Sequence, residues 1–494
     1  MTSSGLPLNI HRSPQGLFIY LWSRVSPSSS RAIAVKPPLD FLTRAKNALN
    51  LEGETEAFAA LLILMPVDDS DQLEALGKLL WLMEEIDKAF YRIHPRAVVL
   101  SGTMASSSLL LPMWLNQLAE TRIRTGVYYE CELVRLIPRG PLRRASRNVG
   151  ASSAEMLADR FAAATVVPVQ VKLQERPIKL VHRVLGFDAV HGVPGGSPPL
   201  KERIGFVPIA EIAGDIAIMS KHRVSQSFLD YRLSPAVNAA SRLLDALELM
   251  GALDVAIAPE LVMREEHANE LGELLALNTS AACRVIIAGS GQTQAQNLGQ
   301  PWNETCIFNA AGSTLWRQRK LWPAGIQQKQ ATSYGVTDTG PTDQLLEDTA
   351  AGDTVEIVDI DSFGRCIVLI CQDFTALSMA SDLIHQMQPD WIFVPILDTG
   401  IDPGRWVHQN AFAHSGESSA RFLVCSSTAL AEQVGKPPTA CGMVVGAMNK
   451  TDGEDGRHIY LCHAVSSSTP KHVVVQWDRV DWQISELSAR SKIT

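Results

Sequence analysis

Between residues 204 and 477 the chain alternates short β-branched or aliphatic runs with longer segments of helical periodicity. That alternation limits its fold more than any other feature. Strands are expected at 205–210, 254–258, 283–288, 391–396 and 421–425, and later near 444, 460–464 and 473–477. Amphipathic helices are expected at 234–250 (opened by Ser234-Pro235), 265–277, 377–387 and 404–418. Segments 306–309 and 315–319 read as a hairpin around Ala310-Ala311-Gly312. Strands that alternate with helices predict a layered α/β domain.

The start of that domain is marked by His191-Gly192-Val193-Pro194-Gly195-Gly196-Ser197-Pro198-Pro199, the densest Gly/Pro stretch in the chain. It can continue neither a helix nor a central strand. Before it, 40–165 carries mainly helical periodicity, clearest where Leu73, Leu76, Leu79, Leu80, Met83 and Ile86 form one stripe. Residues 97–100 look strand-like, and 166–173 with 178–185 read as a hairpin. The basic run Arg135, Arg139, Arg143, Arg144, Arg147 has no interleaved aromatics to stack bases and reads as a solvated loop. Residues 1–39 contain no acidic residue and are serine-rich, a composition shared by organellar leaders and by unfolded ones. The expected organisation is a poorly ordered leader (1–39), a mainly helical α+β domain (40–190), a linker (191–202), an α/β domain (203–480) and a tail (481–494).

At 494 residues the chain exceeds one ordinary core. A formal net charge of -8 gives no support for nucleic-acid binding. No apolar run reaches the roughly 18–20 residues that span a bilayer, so no membrane role is expected. The eight cysteines form no C-x-x-C pair and no zinc-like spacing, and they are too sparse for a disulfide framework. Free thiols in a reducing, cytoplasmic setting follow, with no metal and no cofactor expected.

One of those thiols stands apart. The run Gly364-Arg365-Cys366-Ile367-Val368-Leu369-Ile370 ends in Cys371-Gln372-Asp373, so Cys371 falls where a buried strand stops and the chain turns. Sheet edges of this kind hold ligands in α/β folds, although a cysteine is more often a small buried hydrophobe. Cys366, five residues earlier, should face the other way, which argues against a disulfide between the two. Two further polar residues follow strand-like runs: Glu260 after Val255-Ala256-Ile257-Ala258-Pro259, and Lys320 after Leu315-Trp316-Arg317-Gln318-Arg319. His408 and His414, on a predicted helix, read as core or surface residues.

With these three elements in this order, the sequence resembles the carbon–nitrogen hydrolase, or nitrilase, superfamily over roughly residues 203–480. Ala258-Pro259-Glu260-Leu261, Lys320-Leu321-Trp322-Pro323 and Ile370-Cys371-Gln372-Asp373 carry the resemblance. Ile286-Ile287-Ala288-Gly289-Ser290 and Asn303-Glu304-Thr305-Cys306-Ile307-Phe308-Asn309 support it. It implies a four-layer α-β-β-α sandwich that pairs into homodimers, and a small-molecule amide or nitrile substrate. It also implies Cys371 as nucleophile, Glu260 as general base and acid, and Lys320 as oxyanion stabiliser. A thiolate suits a poor amide or nitrile electrophile, and a free thiol needs a base or cation to activate it.

The chain departs from the family pattern at several points. An alternative register would place Gln318 at the lysine position. The second glutamate that many members carry soon after the lysine is missing, with no acid until Asp338 and Glu347 a distant substitute. Gln372 stands where an aromatic is common. Two other readings stay open: a nitrilase-like binding or signalling module with altered turnover, and acyl transfer from the same thioester. The partner of residues 1–190 is unassigned.

Overall fold

The structure, a computed structural model, describes residues 12–32, 38–66, 73–94, 111–140, 157–186, 189, 201–223, 226–278, 280–337, 344–361, 363–375, 377–418, 420–437, 439–449, 455–464, 470–478 and 481–484. The strand expected at 97–100, Arg143, Arg144, Arg147 and most of the linker lie outside them. The chain is a mixed α/β protein and divides into two compact units. The first comprises residues 1–170, 182–184 and 361–363; the second comprises 171–181, 185–360 and 364–494.

The first unit corrects the expected leader. Pro14–Val25 is a helix whose N-cap Ser13 accepts the Gly16 N–H at 3.1 Å, with Pro14 in the first turn. Its apolar run buries Leu17, Phe18, Leu21 and Val25, and Phe18 meets Phe161 edge to face at 5.2 Å and Phe90 at 6.1 Å. The missing acids therefore mark a buried helix, not an unordered one. The helix Leu73–Tyr91 supplies the opposing wall with Leu76, Leu79, Leu80, Met83 and Ile86. On the same helix, Asp87 accepts the backbone N–H groups of Ala162, Ala163 and Ala164 at 2.7–3.0 Å. Burial nevertheless pushes the Asp87 carboxyl up to about 6.

A three-stranded antiparallel sheet completes the unit in the order Tyr129–Glu130, Val134–Pro138, Ala164–Pro168. The start of the basic run is thus a buried strand instead of a solvated loop. Val134, Leu136 and Ile137 drive its burial, and Arg135 goes with them because Glu130 accepts its Nη2 at 2.8 Å.

Two large mixed sheets organise the second unit. The seven-stranded sheet runs Thr314–Arg319, Gln300–Phe308, Cys283–Asn297, Leu253–Ile257, Arg203–Phe206, Val473–Asp478, Asp481–Ile484. Residues 481–484, expected in a tail, are therefore an edge strand: Trp477 and Trp482 pair across an antiparallel ladder. The eight-stranded sheet runs Asp455–Cys462, Gly442–Asn449, Arg421–Ser426, Trp391–Ile396, Gly364–Val368, Thr354–Ile360, Arg176–Leu185, Gln170–Leu173. Its last two strands take up 170–173 and 178–185 of the predicted hairpin, whereas 166–168 belong to the three-stranded sheet, so strands ahead of residue 203 contribute to this sheet.

The helix expected from Ser234 starts later, at Ala239–Met250, where Asn238 caps it by accepting the Ser241 N–H at 2.9 Å. A four-stranded sheet absent from the sequence reading runs Gly325–Gln327, Gln344–Glu347, Gln226–Leu233, Ile216–Arg223. In the eight-stranded sheet the centre is tied down by charge. The guanidinium of Arg365 is fully buried and donates to both carboxylate oxygens of Asp359 at 2.7 and 2.9 Å and to the Met387 carbonyl at 2.8 Å. A planar fork against a carboxylate is the arrangement that tolerates such burial.

Candidate active site

Three chain turns at strand ends converge inside the second unit. The first follows Leu253–Ile257. Here Leu261 takes a left-handed φ of 61°, and the Glu260 N–H donates to the Ile396 carbonyl at 3.2 Å. Ser290 N–H donates to the Pro259 carbonyl at 3.1 Å, which presses that carbonyl onto Gly289. A Cβ on Gly289 would lie 2.4 Å from the Pro259 oxygen, and its φ is +83°, so only glycine fits.

The second turn follows Thr314–Arg319 and carries Lys320, whose backbone N–H donates to the Asn303 carbonyl at 2.8 Å. The third follows Gly364–Val368. Cys371 itself sits at a φ of 48° in the left-handed region, unusual for a residue with a side chain. Backbone held in this way is a form of strain found at functional sites. The carboxylate of Asp373 supports it by accepting the N–H groups of Ile370 at 3.3 Å, Leu321 at 3.0 Å and Trp322 at 2.9 Å. The cysteine turn and the lysine turn are therefore built onto one carboxyl, which burial pushes up to about 7.

The side chains meet where these turns meet. Lys320 Nζ donates to Glu260 Oε1 at 2.6 Å and also to Glu347 Oε2. Cys371 is buried beside them, close enough for the Glu260 and Lys320 charges to act on its thiol. Lys320 is only 1 % exposed, a degree of burial that lysine tolerates only when paired. Glu260, Glu347 and Cys371 are buried with it. Gln318, the alternative in the lysine register, is committed elsewhere: its amide donates to the Arg319 and Thr354 carbonyls at 2.8 and 2.9 Å and accepts the Glu356 N–H at 2.9 Å.

Glu347 corrects the sequence reading, which set it aside as remote. It ends Gln344–Glu347 in the four-stranded sheet, where Leu346 and Glu347 pair in parallel with Phe228 and Leu229. Its carboxylate reaches Lys320 and the amide of Asn303, at 2.8 Å from Nδ2. No spacing rule connects it to Lys320, because the neighbouring strand comes from a hairpin about a hundred residues upstream. Tyr231, two residues beyond Leu229 on the same strand, is half-buried beside this group.

The charges define the site's chemistry. Burial works against the Lys320 ammonium, but Glu260 and Glu347 outweigh it and hold it protonated well above its ordinary range. Burial raises Glu260, with Lys320 opposing and Glu347 adding to the rise. Burial and then the Glu260 carboxylate push the Cys371 thiol well up, against the pull of Lys320. The resting group is therefore a protonated thiol beside a carboxylate that is held by an ammonium. Such a group can pass a proton from sulfur to Glu260 as a bond forms at sulfur, while a fixed positive charge stands beside it. Burial and then Glu347 raise Tyr231 as well, keeping a protonated phenol next to the site.

The remaining singled-out residues lie apart from this centre. His414 packs its ring on Phe374 and Phe422 at 5.7 and 6.5 Å. Cys366 and Cys371 are both free thiols. Among the described residues no His/Cys/Asp/Glu group has the arrangement of a metal site, and no helix is long and apolar enough to cross a membrane.

No protein-family model matches the sequence, and no curated protein matches it significantly. Solved structures of the nitrilase superfamily do match. The chain is similar to Nit3 of Saccharomyces cerevisiae, a member of branch 10 of that superfamily, at 12 % identity and a TM-score of 0.34, covering 59 % of this chain and 93 % of that one. It is likewise similar to the amidase of Nesterenkonia AN1 (13 % identity, TM-score 0.34, 58 % and 94 % covered). A CN-hydrolase superfamily protein of Xanthomonas campestris also matches, at 14 % identity and a TM-score of 0.32, with 59 % and 95 % covered.

Proposed function

We propose that the second unit hydrolyses a non-peptide carbon–nitrogen bond, in an amide or a nitrile, through a thioester on Cys371. The observation that carries this reading is the buried Lys320 ammonium 2.6 Å from the Glu260 carboxylate, with Cys371 in left-handed backbone buried in the same centre. A structural ion pair has no need of a cysteine in left-handed backbone at its centre.

For an amide the proposed steps run through these three side chains. Glu260 takes the thiol proton as sulfur forms a bond to the carbonyl carbon, and the carbonyl π electrons move to oxygen. Lys320 neutralises that oxyanion. As the intermediate collapses, the carbon–nitrogen bond breaks and Glu260 returns the proton to the departing amine. A water then loses a proton to Glu260 and attacks the thioester; the carbon–sulfur bond breaks, the proton passes to sulfur, and the acid leaves. Glu347 keeps Lys320 charged and oriented. No metal or cofactor is required by any of these steps.

The proposal extends to the fold. Phe206 of the seven-stranded sheet and Val207 just past its strand meet Gly442 and Cys425 of the eight-stranded one: Cys425 Sγ lies 3.9 Å from the Val207 carbonyl, and a Cβ on Gly442 would lie 2.5 Å from the Phe206 ring. The helices Ala239–Met250 and Glu265–Leu277 share a core with the former sheet, and Trp406–Glu417 packs on the latter. This supports a four-layer α-β-β-α sandwich.

The test is ammonia release from a panel of small amides and nitriles, with intact-mass detection of an acyl adduct. The full chain should turn over at least one member, and Cys371→Ala and Glu260→Gln should not. If wild type and Cys371→Ala are equally inert and equally unlabelled by an electrophilic amide, the reading is wrong.

A further inference from the structure

Asn303 occupies a position in this centre that the chemistry above does not use. It is fully buried on Gln300–Phe308, and its Nδ2 donates to Glu260 Oε1 at 3.0 Å and to Glu347 Oε1 at 2.8 Å. Its carbonyl also fixes the backbone of Lys320. One residue thereby touches both carboxylates and places the ammonium between them. The direction of the amide is dictated by charge, because the reverse orientation would set its oxygen against two carboxylates. Its Oδ1 has no hydrogen-bond partner among the described residues. The carboxylates alone therefore orient the amide, and an orphaned buried oxygen is the consequence.

Two carboxylates around one lysine carry a surplus negative charge, and like charges at close range force one of them to take a proton. Glu260 is faced by Lys320, Glu347, Cys371 and Tyr231. Among the described residues the side-chain donors to it are Lys320 and Asn303, and the ammonium of Lys320 is shared with Glu347. The amide is thus the second donor to Glu260, and it bridges to Glu347 through the same nitrogen.

We propose that Asn303 is a positioning residue that holds Glu260 ionised and turned toward Cys371 by donating to Glu260 and Glu347 together. This rests on Glu260 serving as the base for Cys371. A purely structural Asn would leave the titration of Glu260 where it is; a positioning one would not.

Carbon-13 NMR of the full chain with labelled glutamate side chains, assigned by the signal lost in Glu260→Gln, reads that titration without any substrate. Asn303→Ala should move the Glu260 midpoint upward by about one pH unit, the usual effect of removing one donor from a buried carboxylate. Asn303→Ser, with one hydroxyl for two carboxylates, should give a smaller upward shift and serves as the readout should the alanine variant not fold. Iodoacetamide labelling of Cys371, followed by mass, should show its acid limb moving with the NMR midpoint. A Glu260 midpoint unchanged in the folded variant overturns the inference even where Cys371 is active. An inert wild-type Cys371 with a shifted Glu260 midpoint instead overturns the hydrolase reading and leaves the Asn303–Glu260 coupling established.

Discussion

Asp373 accepts the backbone N–H groups of both Leu321 and Trp322, at 3.0 and 2.9 Å. The residue two places after the cysteine thus fixes the two residues that follow the lysine. Burial raises its carboxyl to about 7, far above the ordinary 3.8, so the folded protein retains a proton there that the unfolded chain has already released. The contribution to stability is complete below about pH 3.8 and is lost as pH rises through about 7. Denaturant unfolding from pH 4 to 8 should show wild type losing stability relative to Asp373→Asn across that window, by a few kcal/mol at most. Parallel pH profiles would remove Asp373 as the titrating group.

Lys320 sits between Glu260 and Glu347 with all three buried, so its ammonium offsets a charge that has no water to stabilise it. Lys320→Met strands two carboxylates and should lower stability by about 3–5 kcal/mol, the range for removing one partner from a buried ion pair. It should also abolish Cys371 alkylation. Adding Glu347→Gln should restore part of the stability, because only one acid then lacks a cation, without restoring alkylation. Full additivity of the two substitutions in a double-mutant cycle would mean that the pair does not interact.

The elements around Glu260 and Cys371 are legible because each lies just past an apolar run, where a strand must stop and a polar side chain stands out; Lys320 follows the mixed run Leu315-Trp316-Arg317-Gln318-Arg319 and is legible through its place between them. Glu347 and Asn303 are not. Glu347 reaches the centre by pairing Gln344–Glu347 with Gln226–Leu233, and the adjoining strand Ile216–Arg223 mixes Met219, Ser220, Lys221 and His222 without a clean alternation. Its parallel register is a non-local choice that no local pattern records. Asn303 was visible as part of a motif, but its role depends on two partners 43 and 44 residues away. The first helix escapes a reading by composition for a different reason: a serine-rich, acid-free segment looks unfolded, while its order comes from burying Leu17, Phe18, Leu21 and Val25.

That last point has a direct test. Phe18 is fully buried against Phe90 and Phe161 in the first unit. Phe18→Ala should destabilise the unit by about 3–5 kcal/mol, as expected for emptying a buried aromatic site. If Phe18→Ala melts like wild type, the helix Pro14–Val25 is not part of the core in solution.

Gly289 gives the sharpest separation between backbone conformation and close approach. Its φ is +83° and a Cβ there would lie 2.4 Å from the Pro259 carbonyl, the residue immediately before Glu260. Gly251 has a similar φ of +68° with nothing within 4 Å of its Cβ position. Gly251→Ala should therefore cost only the left-handed backbone penalty, about 1 kcal/mol, and leave Cys371 alkylation unchanged. Gly289→Ala carries the same penalty and must also push the Pro259-Glu260 turn away from its strand. A displacement of that size takes the Glu260 carboxylate out of reach of the thiol, so alkylation should fall at least tenfold even where the protein stays folded. Equal losses in the two variants would show that backbone strain alone is at work and that the Pro259 contact does not place Glu260.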